Sequence, residues 1–196
     1  MKTSKSHRAS YTAISTAAIM LFAGCTSALG EATAEENDEL SSACMPQVPP
    51  ALAVPEGNKL AFSFDAAGVQ IYGCDATATG YGWVFKAPEA NLYGHKGKLA
   101  GTHYAGPTWK ANDGSTVVGS KLAEYAADPG SIPWLLLGAA SHAGKGTMSD
   151  VTFIHRLETV GGKAPATGCD ATHVGETARV DYTATYYFYD ARGKKK

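Results

Sequence analysis

From Lys59 onward, apolar and polar residues alternate at period two in one segment after another. Leu60, Phe62 and Phe64 alternate with smaller or polar residues, and Val69, Ile71 and Gly73 alternate with Gln70 and Tyr72. The stretch KLAFSFDAAGVQIYGC therefore predicts two strands around a small DAAG turn. Tyr81, Trp83 and Phe85 repeat the spacing in YGWVFKAP, with Pro88 as the stop. VTFIHRLETV predicts a further strand, and ARVDYTATYYFYD the clearest one. In the latter, Val180, Tyr182, Ala184, Tyr186 and Phe188 share one face, while Asp181, Thr183, Thr185 and Tyr187 share the other. β-Branched and aromatic residues dominate it, as a pleated, half-buried surface favours. Helical spacing is confined to GSKLAEYAA, where Leu122 and Tyr125 fall on one side and two turns are predicted. The apolar run IPWLLLGAASH is too short to separate a buried strand from a helix. Short strands punctuated by Gly, Pro and Asp predict an all-β fold: a single-domain β-sandwich or β-barrel with short helical insertions.

The N-terminus departs from this pattern. Lys2, Lys5 and Arg8 precede the apolar run YTAISTAAIMLFAGC, which ends in small residues. A basic flank, a short apolar run and a small-residue exit form an export signal, expected over residues 1–24. The run is shorter than the roughly 20 apolar residues that a membrane-spanning helix needs. FAGC resembles a bacterial lipobox: Ala23 and Gly24 match, Phe22 stands where leucine is usual, and Cys25 would carry the lipid. Cleavage after SALG would instead release a secreted chain. Residues 25–43 are small and acidic, with Glu31, Glu35, Glu36, Asp38 and Glu39 and no aromatic residue, and are expected to form a disordered tether. The folded domain is then expected over residues 44–192, entered through the proline-rich CMPQVPPALAVPEG.

Charge and cysteine content narrow the function classes. Loss of the signal takes three basic residues from the 17 of the full chain and none of its 18 acidic ones, so the mature chain is net acidic. The terminal GKKK is a short solvated tail, and no basic patch suits a nucleic acid. Export brings oxidising conditions, under which a disulfide is expected. Cys74 and Cys169 both stand in GCDAT contexts at strand edges and are the preferred pair; Cys44 with Cys74 is the alternative.

The densest chemistry lies in HYAGPTWKANDGS. One reading splits it into two turns, with Gly106-Pro107 setting a bend and Asp113-Gly114 a hairpin, and with His103 and Trp109 flanking a sheet. The other brings His103, Trp109, Asp113 and Ser115 together at a pocket on loops carried by a rigid scaffold. No Gly-x-Ser-x-Gly elbow presents a serine, so no catalytic residue is assigned. His95, His103, His142, His155 and His173 are scattered and give no metal spacing. His155 shares a face with Val151, Phe153 and Leu157 and is expected in the core. Trp83, Trp109 and Trp134 could stack on sugars, but aromatic residues of a small β domain usually serve its core. Arg156 lies beside Glu158, either paired with it or free to bind an anion.

GVQIYGC, APEANLY, HYAGPTW, DGSTVVG, IPWLLL, VTFIHRLETVGGKAPATGCD and YTATYYFYD occur in this order. Together they resemble a family of exported proteins, domain of unknown function 3455, over residues 50–190. The resemblance implies no reaction, ligand or catalytic residue. Some members carry a dehydrogenase label, but the chain has no Gly-x-Gly-x-x-Gly turn after a strand. The function expected is non-catalytic and without a cofactor: a lipoprotein of the cell envelope or outer membrane, attached to the membrane through Cys25. It would bind a small molecule, a glycan or a partner protein, with His103, Trp109, Asp113, Ser115 and Arg156 as candidate contacts. The alternative is an envelope hydrolase acting on glycan or ester bonds.

Overall fold

The structure is a computed structural model that describes residues 45–191. The expected export signal and acidic tether, Cys25, Cys44 and the terminal lysines lie outside the described residues. Eight antiparallel strands follow one another up and down: β1 (Asn58–Thr77), β2 (Gly80–Tyr93), β3 (Leu99–Tyr104), β4 (Thr108–Ala111), β5 (Thr116–Tyr125), β6 (Trp134–Ala143), β7 (Val151–Gly161) and β8 (Thr177–Ala191). Each pairs with the next, and β8 returns to β1 from Asn58↔Ala191 to Gly73↔Thr177, closing a barrel. The fold is all-β. Its helical content among the described residues is two 3-10 turns, Pro50–Leu52 and His95–Gly97.

Three local expectations give way to tertiary pairing. DAAG is not a turn: Asp65 to Gly68 pair with Tyr93 to Ala90 on one side and Thr185 to Tyr182 on the other, so β1 is one strand. The small residues allow close approach there. A Cβ on Gly68 would stand 2.1 Å from the Glu89 carbonyl oxygen. GSKLAEYAA is not helical: most of it lies in β5, which pairs with β6 from Thr116↔Ala143 to Tyr125↔Trp134. Pro88 does not stop β2, which runs on to Tyr93. It pairs with Gln70 of β1, but β3 first meets β2 at Ala90, so Pro88 sits where one flank is unpaired, the setting in which a strand tolerates proline.

The expected face of β8 points inward. Tyr182, Ala184, Tyr186 and Phe188 join Leu92, Trp109, Val117, Leu137, Met148 and Ile154 in the barrel core. The outer wall has a second apolar cluster. Leu52, fully buried, lies on Leu136 of β6 and Leu157 of β7, with Trp134, Phe153 and Tyr187 packed around them. The segment before β1 is thus a strap across the outside of β5, β6 and β7. His155 holds it: its Nε2–H donates to the Leu52 carbonyl at 2.7 Å, and its Nδ1 accepts from the Tyr189 hydroxyl at 3.0 Å. This is the buried, satisfied histidine expected there. A register shift between Val151 and Phe153 puts Val151 in the barrel core while His155, Phe153 and Leu157 serve the strap.

The two ends of the barrel are closed differently. At one end, the β4–β5 turn is tied to the β6–β7 connection through Asp113. At the other, the long β7–β8 connection folds over the strand ends. Tyr72 donates to the Gly162 carbonyl (2.7 Å) and Trp83 Nε1 to the Thr167 carbonyl (2.9 Å). Cys74 is bonded to Cys169, with Cα atoms 5.4 Å apart, and the Cys44–Cys74 alternative is thereby excluded. The bridge spans 95 residues, and on the chain-entropy relation it restricts the unfolded chain by about 4–5 kcal/mol. Cys169→Ser is therefore expected to lower the urea midpoint substantially, as is reduction of the wild type, with no further loss when the variant is reduced. Equal midpoints for oxidised and reduced wild type would show that the bridge contributes nothing to stability.

Candidate functional site

The candidate site follows from unequal strand lengths. β3 and β4 have six and four residues, whereas β2 has 14 and β5 has ten. β3 reaches β2 only from Ala90↔His103 onward, and β4 leaves β5 at Thr108↔Val118. The Gly80–Glu89 part of β2 and the part of β5 beyond Gly119 therefore flank the β3–β4 turn with no strand between them. The barrel wall dips here into a side window. Its sill is the Gly106-Pro107 turn, held by Thr108 Oγ1 donating to the Ala105 carbonyl and by Gly119 N–H donating to the Pro107 carbonyl, both at 3.0 Å.

Behind the window lies a cavity of about 320 Å³. An eight-stranded barrel has room inside for packed side chains or for one small ligand, and this interior is packed in part and open in part. Its floor is aromatic. His103 stacks on Trp109 (ring centroids 4.4 Å apart), and Tyr186 stands across both at 5.0 and 5.3 Å. The indole fits because position 119 is glycine; a Cβ there would approach Trp109 to 2.9 Å. Leu135, Leu137, Pro88 and Pro107 add apolar wall, and Phe85, half exposed, stands at the opening.

The polar groups are few. His103 Nδ1–H donates to the Thr108 carbonyl at 2.9 Å, which leaves Nε2 as an acceptor. Burial pushes its pKa down to about 3, opposed by that hydrogen bond and reinforced by the nearby Arg156 charge, so the ring is neutral at physiological pH. Arg156 donates from Nε (3.2 Å) and Nη2 (2.9 Å) to the Pro133 carbonyl. Among the described residues, two buried side-chain donors lack a hydrogen-bond partner of good geometry: Gln70 Nε2, which lies near the Tyr182 hydroxyl, and Trp109 Nε1. Buried polar groups are nearly always paired, so two orphans lining one cavity mark it out. The side chains lining it include Lys86, Lys121 and Arg156 but no carboxylate.

The structure separates the sequence candidates into two groups. His103, Trp109 and Arg156 line the cavity together. Asp113 and Ser115 stand at the other end of the barrel and do not join them. Asp113 Oδ1 accepts from Ser115 N–H (2.9 Å) and Oγ–H (2.5 Å), and Oδ2 from Thr147 N–H (2.7 Å) and Oγ1–H (2.8 Å). Ser115 Oγ in turn accepts from Met148 N–H at 3.0 Å. These bonds, the Ser115 hydroxyl foremost, hold the Asp113 carboxyl well below the usual carboxylate range. The Asp-Gly pair forms the expected β4–β5 hairpin, and its side chains latch a second loop. Sequence reasoning missed Gln70 and Tyr186 as cavity residues. A glutamine flanked by Val69 and Ile71 gave the only signal, a polar residue within an apolar stretch.

Arg156 and Glu158 do not pair. Arg156 lies inside, whereas Glu158 has a left-handed backbone (φ 53°) at a register shift between Leu157 and Val160. On the outer wall its carboxylate accepts from Thr185 Oγ1 (2.8 Å) and the Tyr187 hydroxyl (3.0 Å).

The buried histidines link stability to pH. The unfolded chain protonates His103 near its ordinary value of 6.5, whereas the folded chain resists to about 3, so stability is full above 6.5 and lost as pH falls towards 3. His155, also lowered by burial, acts in the same direction, whereas exposed His173, raised by Asp170, acts in the opposite one. The urea midpoint of the wild type is expected to fall between about pH 7 and pH 5, above most carboxylate titration, and that of His103→Gln to fall less steeply. Parallel profiles would mean that His103 protonates as readily in the folded barrel as in the unfolded chain.

No curated protein and no solved structure matches the chain. A family profile described as protein of unknown function (DUF3455) matches residues 55–190, most of the barrel and its connections. The chain belongs to that family, DUF3455.

Proposed function

We propose that this protein is an exported, lipid-anchored binding module of the cell envelope, whose barrel holds one small molecule behind the side window. The observation that carries the reading is the pair of orphaned donors, Gln70 Nε2 and Trp109 Nε1, in a walled cavity of about 320 Å³. That volume falls within the range of small-molecule sites, and the composition suits one: mostly apolar walls with a few polar groups. Export is supported by the N-terminal signal pattern and by the Cys74–Cys169 bridge, a bond that persists outside the reducing cytosol. Attachment at Cys25 would leave the acidic segment of residues 25–43 as the spacer between membrane and barrel. The barrel wall suits water: Asp65, Asp181 and the Arg179–Glu89 ion pair lie on the outside, where a lipid-facing band would be apolar.

The hydrolase alternative has less support. Ser115 and Asp113 are bonded to each other and to the β6–β7 connection, away from His103. His103 is stacked on Trp109 and gives its Nδ1–H to a carbonyl rather than to an orienting carboxylate.

N-phenyl-1-naphthylamine, a neutral apolar dye, tests the cavity directly. Its fluorescence is expected to rise on mixing with the wild type, with one site per chain, and the rise should be largely lost in Leu135→Trp, which fills the cavity from its half-buried wall. Circular dichroism of the variant checks that the barrel is intact. Undiminished enhancement in a folded Leu135→Trp variant, or none in the wild type, would remove the basis of the reading.

A further inference from the structure

Resting on the binding reading above, we propose that the ligand is an apolar body carrying a single carboxylate, with that group held by Arg156 and Gln70. The first ground is the state of Arg156. Both lysines of the lining are compensated, Lys86 by Asp75 and Lys121 by Glu124. Among the described residues, Arg156 alone of the lining cations has no carboxylate partner. Two of its five N–H groups serve the Pro133 carbonyl and the guanidinium also meets the Tyr186 hydroxyl, which leaves N–H groups over for an incoming acceptor.

The second ground is what the chain does with the nearest acid. Regular alternation along β7 would bring Glu158 inside with Ile154 and Arg156, two residues from the guanidinium. Instead, residue 158 adopts a left-handed conformation that is unfavourable for a non-glycine residue, and its carboxylate is bonded outside by Thr185 and Tyr187. The bulge keeps the internal cation unneutralised.

The third ground is the surroundings of the charge. Arg156 lies close enough to Tyr72, His103, Tyr182 and Tyr186 to act on the ionisation of each. Gln70, 2 % exposed, adds an N–H with no partner. A carboxylate accepting from the guanidinium and from Gln70 would satisfy the orphan and compensate the charge together. One uncompensated cation suits one negative charge; a phosphate dianion would leave the second unpaired. Leu135, Leu137, Pro88 and Phe85 supply wall for an apolar remainder reaching towards the window.

Competition against bound N-phenyl-1-naphthylamine tests this with matched chains: octanoate, octan-1-ol and octylamine added to the full chain at neutral pH. Octanoate is expected to displace the dye at a concentration at least about tenfold below octan-1-ol, as a charge-assisted contact warrants, with octylamine weakest. In Arg156→Gln the octanoate-to-octanol ratio should fall close to one, while Arg156→Lys should keep part of the preference. Gln70→Leu, which keeps the volume and loses the donor, should weaken octanoate several-fold and decides the matter if the Arg156 variants fail to fold. If octan-1-ol competes as well as octanoate against a dye that the wild type does bind, the carboxylate assignment falls and the cavity reading stands. If the wild type binds no dye, both fall.

Discussion

The pairing of β8 with β1 is the constraint from which the other features follow. Once Asn58↔Ala191 through Gly73↔Thr177 is made, the sheet has no free edge along its longest strands, and every second residue is committed to a closed interior. Eight strands enclose a space that a few large side chains can nearly fill. Trp109, Tyr186 and Phe188 do so where the barrel is complete, with Ala66, Ala90 and Ala184 making room between them. The glycines at 68 and 119 belong to the same fit, one allowing β1 to lie close to β2, the other making room for the six-membered ring of the indole.

Completeness is what the β3–β4 hairpin withholds. Its strands stop before the barrel does, so the interior beyond His103 and Trp109 is walled on most sides and open on one. At the Asp113 end a carboxylate accepts four hydrogen bonds and joins two loops. At the Arg156 end the top is covered by the disulfide-linked β7–β8 connection. Access is then lateral, over the Gly106-Pro107 sill.

The strands with a clean period of two were legible because one face meets the core and the other meets water; β8 is the best example. The breaks in that pattern were not. DAAG has the composition of a turn, but its pairing on both sides depends on strands more than twenty and more than a hundred residues away. GSKLAEYAA has helical spacing, yet β6 supplies a ladder that a helix would forgo. The site was half legible for a related reason. HYAGPTWKANDGS spans β3, β4 and both turns, so residues adjacent in sequence are delivered to opposite ends of a barrel: His103 and Trp109 to one, Asp113 and Ser115 to the other. Arg156 and Gln70 reach the cavity from distant strands, and only closure brings them to it.

The cavity end carries a concentration of features that cost stability. It holds a cation held away from its neighbouring acid, two buried donors without acceptors, and a histidine that stays neutral under burial. A barrel selected for stability alone would pair Arg156 with Glu158 or replace both, and would put an apolar residue at Gln70, since orphaned or unpaired polar groups in an interior are unfavourable. The opposite end shows that this chain can satisfy its polar groups fully: Asp113, Ser115 and Thr147 leave no such orphan. Two standards within one barrel are hard to explain by folding, because both ends form from the same strands. They are explained if one end is finished by the chain itself and the other by the proposed ligand. On that view the Glu158 bulge is as much a part of the site as Arg156, although it never faces the cavity.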